Sequence, residues 1–418
     1  MDTENNLLML GGTSAEELAS QFGTPLYVYE EDVIRRQCRT LRHAFRELDP
    51  EIHYAMKANF NPAILKIILQ EGLGIDAVSA LEVRMALDIG FAPDMILFTG
   101  NNAAWEEVAF CLVRGVPVNV GSLEELARYG KMNPGGVVSI RVNPDVGAGH
   151  HHHVITGGPR SKFGIHYSEV DQAVSLLAKH NLTLAGLHSH IGTGILKPGQ
   201  MLKAMEIILE QAARFPEISF VDFGGGFGIP YREEEEPLDL EELGQKMSRR
   251  FRAFQQDQGR EVRMKLEPGR FLVAQSGTLL TRVTNLHHTP EFRFVGTDSG
   301  MNHLIRPALY GAYHRVVNAT RTTGKKEDVV VAGNICESGD VFTQGKSGIE
   351  ARPLTAPQVG DLLAVLDAGA YGMALASHYN LRPRPAEVMV SRGEARLIRR
   401  RETYEELTRD FIGFEPGR

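Results

Sequence analysis

A lysine and a cluster of glycines each follow a short apolar run, and both residue types can hold a reactive or charged ligand. Lys57 closes the run His-Tyr-Ala-Met, and an amine at the end of an apolar strand is partly desolvated, which favours nucleophilic chemistry. Taken alone, a lysine whose ammonium group reaches solvent is the better interpretation. Glycines 224–226 offer backbone N–H groups with no side chains in the way. Such a segment binds phosphate, although a glycine run alone is also typical of a tight turn.

A carboxylate, a guanidinium and two histidines complete this first set. Glu267 can hold a proton on a ring nitrogen or simply pair with Arg270, which also adds positive charge for a phosphate. His188 and His190 are two residues apart and therefore share one face of a strand. No Asp, Glu or His set with zinc-like spacing accompanies them, so no metal site is predicted. An amine, a phosphate cradle, a carboxylate and a flat imidazole together indicate a pyridoxal phosphate site.

The second half of the chain holds further candidates, each of which could also be a structural turn. Cys336 and Glu337 lie in a loop between predicted strands, where a thiol beside a carboxylate can transfer protons. Arg306 offers a guanidinium for a carboxylate, and Tyr371 lies in a turn rich in glycine and aromatic residues. Histidines 150–153 suggest metal binding, but adjacent side chains point in different directions. A solvated loop is the better interpretation there.

Eight short runs rich in Val, Ile and aromatic residues alternate with helical patterns over about 215 residues. This alternation predicts a parallel sheet, and the number of strands favours a (β/α)8 barrel over an open doubly wound sheet. In such barrels the active site lies at the carboxyl ends of the strands, which is where the first set of candidates falls. The predicted strands are His53–Lys57, Gly74–Val78, Met95–Phe98, Pro117–Val120, Val137–Asn143, Leu184–Ile191, Ser219–Phe223 and Arg263–Glu267.

Helical patterns separate these strands, and two of them carry capping signals. Ser79 with Glu82, and Ser122 with Glu125, predict capping boxes at helix starts. The predicted helices lie at about 61–71, 80–89, 104–114, 123–130, 168–180, 199–214 and 239–257.

After about residue 275 the pattern changes to strands joined by Gly and Pro turns, which predicts a second, mostly antiparallel β domain. The strand-like segment Pro25–Tyr29 precedes the barrel and is expected to join that second sheet. We therefore predict a barrel over 31–277 and a β-rich domain over 1–30 and 278–418. The predicted strands of the second domain are Leu279–Val283, Phe292–Thr297, Asp328–Ala332, Leu362–Leu366, Glu387–Ser391 and Ala395–Arg399.

Composition excludes several classes of protein. Apolar residues make up 43 % and charged residues 23 % of the 418-residue chain, which is ordinary for a globular protein. A net charge of -7 argues against nucleic-acid binding. Three widely spaced cysteines give no disulfide framework, and no apolar run is long enough to span a membrane. The N-terminus lacks the pattern of a signal peptide, so a cytoplasmic setting is expected. The 43 glycines exceed the usual share and suggest backbone approaching a ligand.

The motifs in this order resemble the fold-type III pyridoxal phosphate-dependent decarboxylases, the alanine racemase-like barrels. The resemblance extends from about Pro25 to Phe411 and implies the barrel plus β domain predicted above. The motifs that carry it are YAMKAN at 54–59, HSHIGTG at 188–194, GGGFGIPY at 224–231, EPGRFLVAQSG at 267–277, GMNHLIRPALYGAYH at 300–314, CESGDVF at 336–342 and DAGAYG at 367–372.

The resemblance implies roles for the candidates nearest the cofactor. Lys57 would bond to pyridoxal phosphate, and His190 would stack on its ring. Glu267 would contact the pyridine nitrogen, and Gly226, Arg270 and Tyr371 would bind the phosphate. Lys57, His190, Glu267 and Cys336 would be the catalytic residues, with Cys336 as proton donor.

The resemblance also implies a substrate and a partner. Within the family the chain is most similar to the branch that converts meso-2,6-diaminopimelate to L-lysine and CO2, the last step of lysine synthesis. D-ornithine, D-lysine or carboxynorspermidine are alternative substrates on the same scaffold. The implied substrate-binding set is Arg270, Arg306, Tyr310, Glu337 and Tyr371.

In this family the CESGD loop completes the active site of the other subunit, which implies a homodimer with shared sites. A non-catalytic carrier of the cofactor is disfavoured because Lys57, Glu267 and Cys336 are all present. His303 replaces a residue that is often Asp in relatives. It lies near Arg306 in the sequence, so it could tune the choice of substrate.

Overall fold

The structure, a computed structural model, describes residues 2–149, 157–345 and 348–414. The histidine run at 150–153 therefore lies outside the described residues. The chain forms two compact units. The barrel unit comprises Arg35–Pro230 and Glu236–Leu272, and the β unit comprises Met1–Ile34, Tyr231–Glu235 and Val273–Arg418.

Eight parallel strands form a closed ring in the barrel unit. The eighth strand pairs in parallel with the first, through Lys265 with Glu51 and Leu266 with Ile52. A parallel bridge between Phe98 and Val118 joins the third and fourth strands, and the other neighbours pair in sequence order. The predicted (β/α)8 barrel is thereby confirmed. Its strands are Glu51–Ala55, Gly74–Ala77, Ile96–Phe98, Asn119–Val120, Val137–Asn143, Thr183–His188, Phe220–Asp222 and Arg263–Leu266.

The strands are nearly continuous apolar runs because both of their faces are covered, as expected for a parallel sheet. The helices start at polar caps: the side chains of Asn61, Ser79, Ser122 and Asp239 each accept a backbone hydrogen bond from the first turn. The helices are Glu31–Ala44, Pro62–Gln70, Ala80–Ile89, Trp105–Val113, Leu123–Met132, Val170–Lys179, Gly199–Ala212, Leu240–Gln258 and the short Arg270–Val273. Short strands lie at Ala148–Gly149, Ile165–His166 and Gly192–Thr193, and 3-10 turns at Met56–Ala58, Pro93–Met95, Tyr167–Glu169 and Ala274–Ser276.

The two predicted capping boxes are half right. Ser79 and Ser122 cap their helices, but the glutamates do not return to the cap residue's own N–H. The Glu82 carboxylate accepts from the N–H of Val78 at 2.7 Å, and Glu125 accepts from Gly121 at the same distance. Each glutamate therefore ties the helix start to the end of the preceding strand, which a purely local sequence rule does not anticipate.

The β unit is built on a nine-stranded mixed sheet. The strand Leu26–Glu30 pairs antiparallel with Gly277–His288 and parallel with Ala386–Ser391, so the predicted insertion of the N-terminal strand into this sheet is confirmed. Most of the other pairings are antiparallel. The remaining strands of the sheet are Arg293–Thr297, Val316–Asn318, Lys326–Ala332, Arg352–Thr355, Leu362–Val365 and Glu394–Arg399.

Smaller elements complete the β unit. A core that includes Leu8, Leu18, Leu280 and Val388 packs against one face of the sheet. The small sheets are Asp2–Glu4 with Leu7–Leu10 and Thr13–Ser14, and Gln344–Gly345 with Gly348–Ile349. The helices are Ala15–Phe22, Arg306–Tyr310 and Tyr404–Thr408, with 3-10 turns at Met373–Leu375 and Tyr379–Leu381. No helix among the described residues is long and apolar enough to cross a membrane.

Gly244 gives a test of the barrel packing. It lies within the helix Leu240–Gln258, where alanine normally stabilises by about 1 kcal/mol relative to glycine. A Cβ at Gly244 would lie 2.0 Å from the carbonyl oxygen of Ala44. We predict that Gly244→Ala lowers the free energy of unfolding by about 1–3 kcal/mol, as overpacking does, measured by denaturant titration.

Gly199→Ala is the matched control. Gly199 is the first residue of its helix, and nothing lies within 4 Å of the position of its Cβ. This variant should be neutral or slightly stabilising. Equal effects of the two substitutions would contradict the close approach at Gly244.

Candidate active site

Lys57 lies beyond the end of the first barrel strand, in the turn Met56–Ala58, rather than at the strand's last position as predicted. Its Nζ is 3.4 Å from Oδ2 of Asp76. Asp76 is buried and is the next-to-last residue of the second strand. The lysine side chain is 41 % exposed, so the predicted desolvation of the amine is not what the structure shows. Asp76 also accepts a short hydrogen bond from the hydroxyl of Thr99. The carboxylate of Asp76 therefore holds the lysine amine at the carboxyl end of the barrel.

Glu267 directly follows the eighth strand and lies in a buried cluster with His188 and Asp222. Nε2 of His188 is 2.9 Å from Oε2 of Glu267, and both residues are at most 5 % exposed. One ligand-type atom from each of the three residues lies within 4.8 Å of the others. Asp222 ends the seventh strand, and its Oδ1 accepts from the N–H of Gly224 at 2.8 Å. Asp222 therefore links the glycine loop to the carboxylate of Glu267.

Burial sets the protonation of this cluster. Burial raises the pKa of Asp222 to about 8, and the neighbouring Glu267 raises it as well. The pKa of Glu267 is raised chiefly by its own burial and then by Asp76. Burial lowers the pKa of His188 to about 4, so its imidazole is neutral at neutral pH. Burial of two neighbouring carboxyls beside a neutral histidine favours retention of one proton by the pair, because two adjacent buried charges repel each other.

The glycine loop requires residues without a Cβ. Gly224 and Gly226 have φ values of +67° and +101°, and a Cβ at Gly225 would lie 2.1 Å from the carbonyl oxygen of Glu267. The N–H of Gly225 donates to Nδ1 of His190 at 3.0 Å. This bond leaves Nδ1 unprotonated and fixes the orientation of the imidazole. Burial also lowers the pKa of His190 well below its usual value.

A guanidinium that the sequence reasoning missed lies inside the barrel. Arg141 is on the fifth strand, and its Nη2 donates to the carbonyl oxygen of His190 at 3.2 Å. Its guanidinium lies over the ring of Phe163, 4.6 Å from the centroid. Burial lowers its pKa to about 10, against the opposing effect of Glu267 and other acids. As the single charged residue in an otherwise apolar and neutral strand, Arg141 carried a signal that could have been used.

Arg270 follows the eighth strand and therefore lies at the same carboxyl end of the barrel as Lys57 and Glu267. It is buried, and its Nε donates to the hydroxyl of Thr193 at 3.4 Å. The barrel unit therefore brings together five of the predicted site residues, on four loops that follow strands: Lys57, His190, Gly226, Glu267 and Arg270.

The β unit holds the other predicted residues in two groups. In the first, Arg306 is almost fully buried at 1 % exposure. Its Nη1 donates to the hydroxyl of Tyr231 at 3.0 Å and lies 2.8 Å from Nε2 of His314. Tyr310 ends the same short helix and is half-buried. A buried guanidinium held by neutral groups is suited to binding an anion.

The second group is the loop with Cys336 and Glu337, which are both exposed. The N–H of Cys336 donates to Oδ1 of Asn380 at 2.7 Å, and the hydroxyl of Tyr379 donates to Glu337 at 3.4 Å. The buried Asp340 accepts from the backbone N–H of Ile335 within the same loop. Hydrogen bonds within the loop and to Tyr379 and Asn380 thus hold the loop in place. The side chains of Cys336 and Glu337 stay exposed.

Two further candidates of the β unit, Tyr371 and His303, lie outside these two groups. Tyr371 has a φ of +56°, a conformation that is unusual for a tyrosine, and is half-buried. The two ring nitrogens of His303 lie within hydrogen-bonding distance of the hydroxyl of Ser299 and the carbonyl of Pro383. Both nitrogens are engaged within the β unit, and the influence of His303 on substrate choice stays a prediction.

The comparison with known proteins decides the family. Residues 31–274 match the family described as pyridoxal-dependent decarboxylase, pyridoxal binding domain. The chain belongs to the pyridoxal-dependent decarboxylase family. Members named diaminopimelate decarboxylase include the protein of Methanothermobacter thermautotrophicus, 44 % identical over 96 % of this chain and 95 % of its own length. That of Escherichia coli K12 is 38 % identical over 93 % of this chain and 94 % of its own length.

A solved structure gives the same result. The diaminopimelate decarboxylase of M. jannaschii, solved in complex with L-lysine, superposes with a TM-score of 0.89 and 34 % identity. The match covers 98 % of this chain and 97 % of that one. The alanine racemase-like fold expected from the motifs is confirmed for the chain.

Pyridoxal phosphate, the cofactor of this decarboxylase family, fits the residues of the barrel unit. The glycine loop packs against neighbouring backbone too closely for any Cβ, so its N–H groups are not covered by side chains of its own, and Arg270 offers a positive charge for a phosphate. Glu267 shares a hydrogen bond with Asp222, and Oε1 of Glu267 makes no bond to any other described residue, which suits a carboxyl that binds a ring nitrogen. Lys57 supplies the amine. Asp222 had not been predicted as a site residue, although its place at a strand end is the same signal that identified Glu267.

We predict that Asp222→Asn changes how stability depends on pH. The pKa of Asp222 is raised to about 8 in the folded protein, so the folded state holds a proton that the unfolded chain loses near pH 4. The wild type should therefore lose stability relative to Asp222→Asn as pH rises from about 5 to 8, by about 1.4 kcal/mol per pH unit at most. Denaturant titration followed by the fluorescence of Trp105 measures this.

Asp239→Asn is the control for this prediction. It makes the same chemical change at an exposed helix cap of the barrel unit. This variant removes no buried acid, so it should not reproduce the pH dependence expected for Asp222→Asn. Parallel pH profiles for the wild type and Asp222→Asn would contradict the shared proton.

Proposed function

We propose that this chain removes one carboxylate of meso-2,6-diaminopimelate to give L-lysine and CO2. The relatives that match nearly its whole length carry the name of that decarboxylase. The observation that carries the substrate choice is the buried guanidinium of Arg306, which is held by the neutral Tyr231 and His314. Of the two carboxylates of the substrate, one leaves and the other remains, and a buried cation is suited to binding the one that remains.

In this proposal the barrel unit binds pyridoxal phosphate. Bound pyridoxal phosphate supplies an electron sink for the carbanion left when CO2 departs. Lys57 provides the amine that attaches the cofactor, and the glycine loop at Gly226 binds the phosphate together with Arg270 and Tyr371. His190, oriented by the N–H of Gly225, contacts the ring.

Glu267 is proposed to hold a proton at the ring nitrogen. Because burial raises the pKa of Glu267 and of Asp222, the pair retains a proton that Glu267 can present at Oε1. The neutral His188 keeps the other oxygen of Glu267 in place at 2.9 Å. Arg141, whose guanidinium donates to the carbonyl of His190, partly balances the buried negative charge.

Substrate binding and the final protonation are assigned to the β unit. Arg306, Tyr310 and Tyr371, with Arg270, bind the substrate carboxylate, and Glu337 binds the far amino group. Cys336 then gives its thiol proton to the α-carbon, where it replaces the lost CO2. In the single chain the thiol and the adjacent Glu337 are both exposed.

We further propose a homodimer in which the Cys336 loop completes the partner's site. The exposed side chains of this loop are accompanied in the β unit by the exposed apolar residues Leu375, Tyr379 and Leu381. Tyr379 contacts Glu337 directly. An exposed apolar patch around polar reactive groups is suited to being covered by another chain.

The three cysteines are free thiols, which favours the cytoplasm as the compartment.

D-ornithine, D-lysine and carboxynorspermidine are the alternative substrates. D-ornithine and D-lysine have no second carboxylate, so they would leave the Arg306 site without its anion, which costs binding free energy. Turnover of meso-2,6-diaminopimelate, compared with turnover of these three compounds at equal concentrations, tests the proposal. Faster turnover of D-ornithine or D-lysine would overturn it.

Borohydride reduction tests the assignment of Lys57. Reduction of the yellow holoenzyme should bleach its absorbance and leave a covalent label on Lys57, located by peptide mass spectrometry. Lys265, which ion-pairs with Glu51 at 2.9 Å, is an internal control and should stay unlabelled. A label on another lysine would show that the assignment of the attachment site is wrong.

Cys336→Ala tests both the proton donor and the shared site. The variant should keep its cofactor absorbance and lose at least about 100-fold in turnover, as expected when a proton donor is removed. Mixing it with Lys57→Ala, which is also inactive, should restore part of the activity, because a mixed dimer has one site with both residues intact. Cys111→Ala, a buried core thiol, is the control and should keep its turnover. Near-normal turnover of Cys336→Ala would remove it from the mechanism, and no recovery on mixing would contradict shared sites.

A further inference from the structure

We infer that His314 positions Arg306 for the far carboxylate of the substrate by acting as a neutral hydrogen-bond acceptor. The inference rests on the proposed function and deepens it, because it names a residue that determines specificity without contacting the substrate. His314 belongs to the motif GMNHLIRPALYGAYH, in which only Arg306 and Tyr310 were assigned roles from the sequence.

The hydrogen bonds of His314 define which ring nitrogen carries the proton. Nδ1 lies 2.9 Å from the carbonyl oxygen of Leu366, which can only accept, so Nδ1 carries the hydrogen. Nε2 lies 2.8 Å from Nη1 of Arg306, which can only donate, so Nε2 offers its lone pair. A neutral imidazole in one tautomer satisfies both contacts, whereas a protonated one would place two like charges against each other.

The surroundings of His314 make this arrangement rigid. The residue has no exposed surface, and its ring meets the ring of Tyr231 edge to face, with centroids 5.4 Å apart. The hydroxyl of Tyr231 accepts from the same Nη1 of Arg306 at 3.0 Å. The two hydrogens of Nη1 are therefore directed at two neutral acceptors on either side.

The fold explains why Arg306 needs an external anchor. Its helix, Arg306–Tyr310, is only five residues long and ends at Gly311, which has a φ of +59°. Such a short helix cannot by itself fix a long side chain. Leu366 directly follows the strand Leu362–Val365 in the main sheet of the β unit, so the bond from Nδ1 ties the arginine to the sheet through His314.

The neutrality of the two anchors matters for recognition. A carboxylate at either position would hold the guanidinium equally well but would neutralise the charge that attracts the substrate. Neither His314 nor Tyr231 carries a negative charge that would neutralise the guanidinium. The pair therefore fixes the direction of the guanidinium without adding a negative charge of its own, which is a form of preorganisation for binding an anion.

Two amide substitutions separate the two bonds of His314. In His314→Gln, the amide oxygen reaches the position of Nε2 and can still accept from Arg306. In His314→Asn, the shorter amide reaches only the position of Nδ1, so it keeps the bond to Leu366 and loses the one to Arg306. The variants have similar polarity, and they differ in the contact that the inference concerns.

The experiment uses two ligands of the holoenzyme. L-lysine is the product and keeps the far carboxylate, whereas 1,5-diaminopentane is the same chain without it. In His314→Asn, competitive inhibition by L-lysine should weaken at least about tenfold, as expected when a hydrogen bond to a charged group is lost. Inhibition by 1,5-diaminopentane should stay within about twofold, and KM for meso-2,6-diaminopimelate should rise with little change in kcat. His314→Gln should recover most of the affinity for L-lysine.

Equal weakening for both ligands would show that His314 has a general structural role and would overturn the inference. So would unchanged inhibition by L-lysine in His314→Asn. Wild-type turnover of meso-2,6-diaminopimelate tests the proposed function separately, since its failure is seen before any variant is made. If His314→Asn does not fold, NMR of the wild type labelled with 15N-histidine replaces it. One histidine should have its hydrogen on Nδ1, and its Nε2 signal should shift with L-lysine but not with 1,5-diaminopentane; absence of such a histidine would overturn the inference.

Discussion

Closure of the parallel strand ring is the constraint on which the site of the barrel unit depends. Every neighbouring pair in the ring is parallel, including the eighth strand with the first, so the carboxyl ends of all eight strands emerge on one side. Residues that are more than 200 positions apart in the sequence, such as Lys57 and Arg270, are then held on loops at the same end. The closing contacts are few: two residue pairs between the first and eighth strands and a single bridge between the third and fourth.

Placing ionisable groups inside this ring has an electrostatic cost, and the structure offsets it by clustering them. Asp222 and Glu267 are both buried next to the neutral His188, and burial raises the pKa of each acid. Protonation of the pair avoids two adjacent buried charges, and the half-buried Arg141 partly balances the remaining one. Asp222 and Glu267 thereby retain a proton next to Oε1 of Glu267, which makes no hydrogen bond to any other described residue. The chemistry proposed for Glu267 thus follows from the cost of burying it.

In the β unit, the guanidinium of Arg306 and the thiol of Cys336 lie on a short helix and a loop rather than at the ends of paired strands. Arg306 is fixed by Tyr231 and His314, both neutral. The loop of Cys336 is fixed by Asn380 and by the buried Asp340. In both cases one of the hydrogen-bond partners is distant in sequence: Tyr231 for Arg306 and Asn380 for Cys336. This is why neither position could be derived from local sequence patterns.

The amino-acid sequence by itself determined the element types and their order, because apolar periodicity and caps act over a few residues, but it placed some strand ends a few residues away, as at Lys57. It placed Lys57, His190 and Glu267 at strand ends, and its motifs identified the family. Only the tertiary structure brought Asp222 to Glu267, Arg141 to His190 and His314 to Arg306. It also showed that Lys57 lies in a turn beside Asp76 and that the imidazole of His303 lies within hydrogen-bonding distance of Ser299. The physical reason is that the protonation and orientation of a buried polar group depend on what it faces across the fold, which spacing along the chain does not specify.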